Sequence, residues 1–267
     1  MPYSNAWISL PDLQLQQYHH QTGVLVMIRT LYITIWVVFA TLVLGVTVMI
    51  MSFFVKSGNP LHRIARFWGR SILVVSRINV TVDGLSRIDP QRPYIYMPNH
   101  QSNFDIPVLL GHLTVQFRWL AKMELFKIPI FGHAMRKAGY ISIDRKNRES
   151  AFKSLAVAAE KIKNGVSVLI FPEGTRSRDG KIQAFKKGGF VMAIDSGVPI
   201  VPVTISGTRE IMTKGQFRVN SGQIRISIQQ PIDTTIYSRD TKEALMERVR
   251  RVICENFETS GMDERPC

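Results

Sequence analysis

Tyr94-Ile95-Tyr96-Met97-Pro98-Asn99-His100-Gln101-Ser102-Asn103-Phe104-Asp105 places an apolar, β-prone run directly before a histidine and a carboxylate five positions apart. One unbroken helix cannot bring the two together, because five residues turn it by roughly 500° and leave the side chains about 140° apart. They meet only if the backbone changes between them: a strand ending near Met97, His100 in the exit loop, and Ser102 or Asn103 capping a helix that begins near Phe104. Asp105 in the first turn then faces His100. It can accept the proton of one imidazole nitrogen and leave the other free as a base. The reacting alcohol stays open at this point. Ser102 is the internal candidate, but no Gly-x-Ser-x-Gly elbow exposes it, and the hydroxyl can equally belong to a substrate. Taken alone, a histidine and an aspartate in a loop also make an ordinary turn or cap, so the surrounding chain has to decide.

Outward from this stretch, short β-rich runs alternate with helical ones. Strands are expected over 79–82, 94–97, 117–121, 140–143, 167–171, 200–205 and 223–228, and helices near 104–112, 130–138, 149–164, 190–196 and 241–258. Such alternation predicts an α/β domain built on a single mixed, partly parallel sheet flanked by helices. No internal repeat or low-complexity linker interrupts it.

Before the domain, residues 1–29 read as a polar tail or a short surface helix. Thr30 to Val55 then run without a charge, long enough to cross a bilayer as a helix. A cleaved leader does not fit, since the apolar stretch is too long and no small-residue cleavage site follows. A helix buried in a soluble core gives the same pattern, and Gly45 also permits a hairpin that dips into one leaflet and returns. Only Arg29 precedes the apolar span closely, whereas Lys56, Arg63, Arg66 and Arg70 follow it, which predicts the main domain on the cytoplasmic side of the membrane. Residues 56–78 have an apolar stripe interleaved with arginine. They read either as a basic amphipathic segment lying on anionic lipids or as a helix docked on the domain. The domain proper is expected over 79–267.

Charge supports an anionic partner. Of a net charge of +14, residues 116–190 carry sixteen Lys/Arg against six Asp/Glu, while residues 191–267 balance at ten and ten. Lipid headgroups or phosphorylated substrates fit such a surplus. Nucleic acid does not, for no nucleic-acid-binding motif is present. Two cysteines, Cys254 and Cys267, are too few for a disulfide framework or a zinc cluster. No metal or cofactor is expected.

Further clusters follow other predicted strands, where open α/β sheets carry their functional loops. After residues 167–171 comes Pro172-Glu173-Gly174-Thr175-Arg176-Ser177-Arg178, in which Gly174 permits close backbone approach and Arg176 offers a planar fork for phosphate. After 140–143 come Asp144 and Arg145, and after 117–121 come Lys122 and Glu124. Each alone reads equally as a solvated turn or a surface ion pair. Together and in order, Asn99-His100-x4-Asp105, Gly139 to Arg145, Phe171 to Arg176 and Val198 to Val203 resemble the four motifs of the glycerolipid acyltransferases over roughly residues 60–230. The resemblance implies transfer of a fatty acyl group from a thioester, acyl-CoA or acyl-acyl carrier protein, to a hydroxyl of a lysophospholipid. It casts His100 as general base and Asp105 as its orienting partner. Glu173, Gly174, Thr175 and Arg176 would bind the acceptor's glycerol phosphate, with Arg145 and Lys122 assisting, and the motif around Pro199 and Pro202 would shape the donor or acyl site.

Overall fold

The structure, a computed structural model, describes residues 10–257. Its strands are β1 (Ile78–Asp83), β2 (Ile95–Pro98), β3 (Arg118–Lys122), β4 (Ile141–Ile143), β5 (Val168–Leu169), β6 (Ile200–Ser206) and β7 (Gly222–Ile228). Its helices are α1 (Leu10–Met51), α2 (Gly58–Val75), α3 (Asp105–His112), α4 (Phe131–Lys137), α5 (Arg148–Lys163), α6 (Lys187–Ser196), α7 (Thr208–Ile211) and α8 (Lys242–Glu255). The seven strands form one sheet in the order β1-β7-β6-β2-β5-β3-β4. Neighbours run parallel throughout except for β6 and β7, which are antiparallel. The expected mixed sheet is therefore present; the short α7 and two 3-10 turns at Leu85–Arg87 and Met123–Lys127 add to the expected elements.

Burial explains the strand sequences. β2, β5 and β6 are covered on both faces and read as continuous apolar runs, whereas β7 alternates Ile224, Ile226 and Ile228 inward with Arg225 outward. On one face α1, α2 and α3 pack over Tyr96, Phe117, Val203 and Ile226. On the other, α5, α6 and α8 cover Ile95, Met97, Val168 and Ile200.

Two expectations about the N-terminal region change. Of the expected tail, residues 1–9 lie outside the described residues, and residues 10–29 do not stay apart, because α1 begins at Leu10 and runs unbroken past Gly45. Gly45 makes no turn. It lets α4's neighbour Ile130 approach the helix, since a Cβ there would lie 2.6 Å from Ile130 Cγ2. Ile33, Ala40 and Val48 face the domain at helical spacing, while Leu31, Phe39, Leu42 and Val46 stand open, and only 22% of the apolar window is buried. A helix sunk in a soluble core is thereby excluded. Polar contacts seat the covered stripe: Val219 N–H donates to Thr30 Oγ1 at 3.1 Å, and the Trp68 indole donates to Thr41 Oγ1 at 3.0 Å.

The basic segment 56–78 is a docked helix. Leu61, Gly69, Ile72 and Leu73 of α2 are buried, and Gly69 lies so close to α3 that a Cβ would meet Pro107 O at 2.8 Å. Arg70 donates to Gly111 O at 2.8 Å and Arg66 to Thr114 O at 3.0 Å. Two of the cations counted toward a lipid surface thus cap the carbonyl end of α3 instead. A 3.6-residue apolar stripe looks the same whether it faces lipid or protein.

Candidate active site

Parallel pairing of β2 with β5, Ile95 opposite Val168 and Tyr96 opposite Leu169, sends their exit loops out of the sheet side by side. Loop 99–104 and loop 172–178 are then joined directly, with Ser177 N–H donating to His100 O at 2.9 Å. Lys122 at the end of β3 and Arg145 beyond β4 leave from the same edge.

His100 is partly open, its side chain 14% exposed, and Asp105 is fully buried. Asp105 Oδ2 accepts from His100 Nδ1 at 2.7 Å, from Gln101 N–H at 2.8 Å and from Ser102 N–H at 2.9 Å. A carboxylate can only accept, so Nδ1 carries the proton and Nε2 is left with its lone pair. Three donors converging on one oxygen offset the cost of a buried charge. The imidazole lies flat on Phe171, centroids 3.8 Å apart and planes within 9°, which fixes the ring's rotation as well as its tautomer. The expected cap differs in detail. Neither Ser102 nor Asn103 caps α3; Phe104 occupies that position without a side-chain cap, and Asp105 reaches back to the preceding amides. Ser102 Oγ accepts from Phe104 N–H and donates to Met212 O at 2.7 Å. Buried and committed in this way, Ser102 is not placed as a nucleophile.

A cavity of about 510 Å³ opens beside His100. Its deep wall is apolar, built by Leu44 and Val48 of α1, Leu61 and Trp68 of α2, and Ala134 and Met135 of α4. Its rim near His100 carries Lys122, Arg145, Gly174, Thr175 and Arg176, so five of the six expected binding residues share the cavity with the base. Arg145 donates to Gly174 O and ties the β4 exit to the second loop. Lys122 pairs with Glu124 at 3.3 Å across solvent, a contact of little energetic weight. Lys214 Nζ donates to Arg176 O at 2.6 Å and to Thr175 Oγ1 at 3.3 Å, bracing the same loop from the α7 side.

Glu173 differs from its expected role. It is 1% exposed and does not line the cavity; Oε1 accepts from His100 N–H at 2.6 Å and Oε2 from Gln183 N–H at 2.9 Å. Both oxygens are spent on backbone amides, so Glu173 is a strut under the base. Burial pushes its pKa up to about 7 from 4.5, against the lowering effect of those two amides. A raised acid stabilises the fold most below its unfolded pKa and loses that contribution as pH climbs through the folded value. The stability advantage of wild type over Glu173→Gln is therefore expected to fall by about 2–3 kcal/mol between pH 5 and pH 8. Denaturant midpoints at the two pH values check this, and parallel pH dependences in the two proteins would contradict it.

The fourth motif also turns out to be architectural. β6 is buried over its whole length beside β2, and Asn99 spans the gap, donating to Ile205 O at 2.9 Å and accepting from Ile205 N–H at 2.7 Å. Sequence reasoning did not identify Phe171 or Lys214 as parts of the site. Phe171 stands next to Pro172 in a motif that was noticed, but its ring stack joins residues far apart in the chain. Lys214 lay outside every motif.

Comparison with known proteins places the fold in a family. A family model described as Acyltransferase matches residues 79–206. The chloroplastic 1-acyl-sn-glycerol-3-phosphate acyltransferase of Brassica napus is 36% identical over 205 residues, 72% of this chain and 59% of that one. The human 1-acyl-sn-glycerol-3-phosphate acyltransferase alpha is 34% identical over 189 residues, 70% of this chain and 67% of that one. The crystal structure of the 1-acyl-sn-glycerophosphate acyltransferase PlsC from Thermotoga maritima superposes with a TM-score of 0.73 at 30% identity, covering 89% of this chain and 99% of that one. The chain spans about half to two thirds of the length of the plant and algal relatives it matches. With the histidine–aspartate pair, the cationic rim and the sheet topology in place beside these relatives, the chain belongs to the acyltransferase family.

Proposed function

We propose that the protein transfers a fatty acyl group from a thioester to the free hydroxyl of 1-acyl-sn-glycerol 3-phosphate, giving phosphatidic acid for phospholipid synthesis. The observation that carries this reading is the single cavity that joins a free imidazole nitrogen to a cationic rim and an apolar wall. The acceptor has the matching three parts: a hydroxyl, a phosphate and an acyl chain. His100 Nε2 takes the hydroxyl proton as the oxygen attacks the thioester carbonyl. The tetrahedral intermediate then expels the thiolate, which leaves with the proton held by the imidazolium. A thioester is already activated, so no acyl-enzyme is needed. Asp105 keeps the tautomer and stabilises the transient positive charge.

Arg176 and Lys122 hold the phosphate, with Arg145 assisting, and Gly174 and Thr175 flank the glycerol, where the absence of a side chain at Gly174 permits close approach. The donor is acyl-CoA or acyl-acyl carrier protein, either of which suits the surplus of positive charge. The open apolar face of α1 supports attachment to a membrane rich in anionic lipid. Because its other stripe is bonded to the domain from Thr30 onward, the helix is better suited to lie within one leaflet than to cross the bilayer. Lys56 and Arg63 beyond it suit the anionic headgroups of that leaflet.

Purified protein supplied with a panel of lysophospholipids and both donors, with thiol release followed, tests the reading. Turnover is expected to be highest with 1-acyl-sn-glycerol 3-phosphate; absence of thiol release with every acceptor overturns it. Arg176→Lys keeps the charge and loses the fork, so the acceptor KM should rise about tenfold with a smaller change for the donor. A rise in the donor KM alone would move Arg176 to the donor site.

A further inference from the structure

Phe217 is the most exposed large apolar side chain among the described residues, at 88%. It sits in the loop between α7 and β7, and that loop is braced. Gln216 N–H donates to Thr213 O across a turn that Gly215 completes at φ +88°, and Asn220 N–H donates to Ile211 O to close the base. Val219, two residues on, is buried in the core. A braced loop presents its tip in a defined place. A single exposed aromatic needs no explanation by itself, but this one is not isolated. Val219 N–H donates to Thr30 Oγ1 at 3.1 Å and Arg29 Nη1 donates to Ser221 Oγ at 3.1 Å, so the loop abuts the start of α1's charge-free run. There Met27, Ile28 and Leu31 stand 71%, 59% and 61% exposed. Arg218, beside Phe217, is exposed as well. Apolar tip and neighbouring cation continue α1's open face in the pattern of an interfacial lipid contact.

The base of the loop reaches the catalytic site. Met212 O accepts from Ser102 Oγ in the histidine loop, and Lys214 Nζ holds Arg176 O in the phosphate loop. We propose that the Thr213–Arg218 loop is a second membrane contact, with Phe217 entering the acyl layer beside α1 and Arg218 at the headgroups, so that membrane seating holds the Arg176 loop at phosphate height. This rests on the membrane reading of α1 given above.

The test uses the full chain with vesicles of phosphatidylcholine and phosphatidylglycerol, in which part of the phosphatidylcholine is brominated on its acyl chains. The emission added by Phe217→Trp, taken as a difference from wild type, should shift to the blue on vesicles and be quenched by the bromines. Ile236→Trp, which replaces an exposed residue on the α6 and α8 face of the sheet, should show neither change. Phe217→Asp should lower vesicle partitioning roughly tenfold, the weight of one apolar ring, and lower turnover of vesicle-embedded acceptor while leaving dispersed short-chain acceptor within about twofold. Water-like, unquenched emission from vesicle-bound Phe217→Trp overturns the proposal, as does equal quenching at the Ile236→Trp position. Failure of the wild type to bind vesicles removes the membrane reading and this one together. Loss of acyl transfer to dispersed acceptor in the wild type would count against the proposed reaction and not against the loop.

Discussion

His100→Ala is expected to reduce acyl transfer by about three to four orders of magnitude while leaving the fold intact, the upper range for loss of a positioned general base. The imidazole is the one side chain in the cavity that combines an open nitrogen with a fixed tautomer. Without it the acceptor hydroxyl must lose its proton to water, and the departing thiolate has no acid. The structural cost is small by comparison. Asp105 keeps its two amide donors and Phe171 stays buried, so the loss is one hydrogen bond and one ring stack, about 1–2 kcal/mol. Thiol release, read beside circular dichroism and a melting curve, separates the two effects. Turnover within tenfold of wild type in a folded His100→Ala protein would falsify the general-base mechanism.

Asp105→Asn should come close behind, with turnover down by about three orders of magnitude. All three donors meet at one oxygen, Oδ2. An amide has two ways to fit. With its oxygen toward the donors it keeps the contacts but loses the charge that stabilises the imidazolium; with its nitrogen there it confronts two backbone N–H groups that cannot turn away. In the second case Nδ1 is driven to accept, and the proton moves to Nε2, where a base is needed. Asp105→Glu restores the charge but pushes the carboxylate out from the first turn of α3, so partial recovery at most is expected. The informative measurement is kcat against acceptor KM: an orienting residue lowers kcat and leaves KM nearly unchanged. A change confined to KM would mean that Asp105 helps to bind the acceptor and does not orient the base.

How much of this was legible in advance differs from residue to residue. His100 and Asp105 were identifiable because their spacing excludes one helix and demands a strand, a loop and a helix start, all determined by about twelve neighbouring residues. The strands were legible because period-2 and continuous apolar runs follow directly from burial on one or both faces. Phe171 was not. Its stack on His100 depends on β5 pairing with β2, and the intervening chain holds two further strands that lie elsewhere in the sheet. Glu173 was seen but misassigned, since an acid beside a basic, glycine-containing loop reads as a ligand; nothing local states that both its oxygens face inward to amides.

The N-terminal region divides in the same way. By itself the sequence determined that residues 30–55 form a charge-free apolar element, that residues 56–78 carry an apolar stripe, and that a histidine and an aspartate can meet only at a strand exit. These depend on residue type and period, which are local quantities. Which surface covers each stripe is not local. Only the tertiary structure decided that α2 spends its stripe on α3, that α1 spends one side on the domain and keeps the other open, and that Lys214 braces the 172–178 loop at Arg176. Apolar surface gains about the same free energy per unit area against protein as against lipid, so periodicity cannot name the partner; chain topology does.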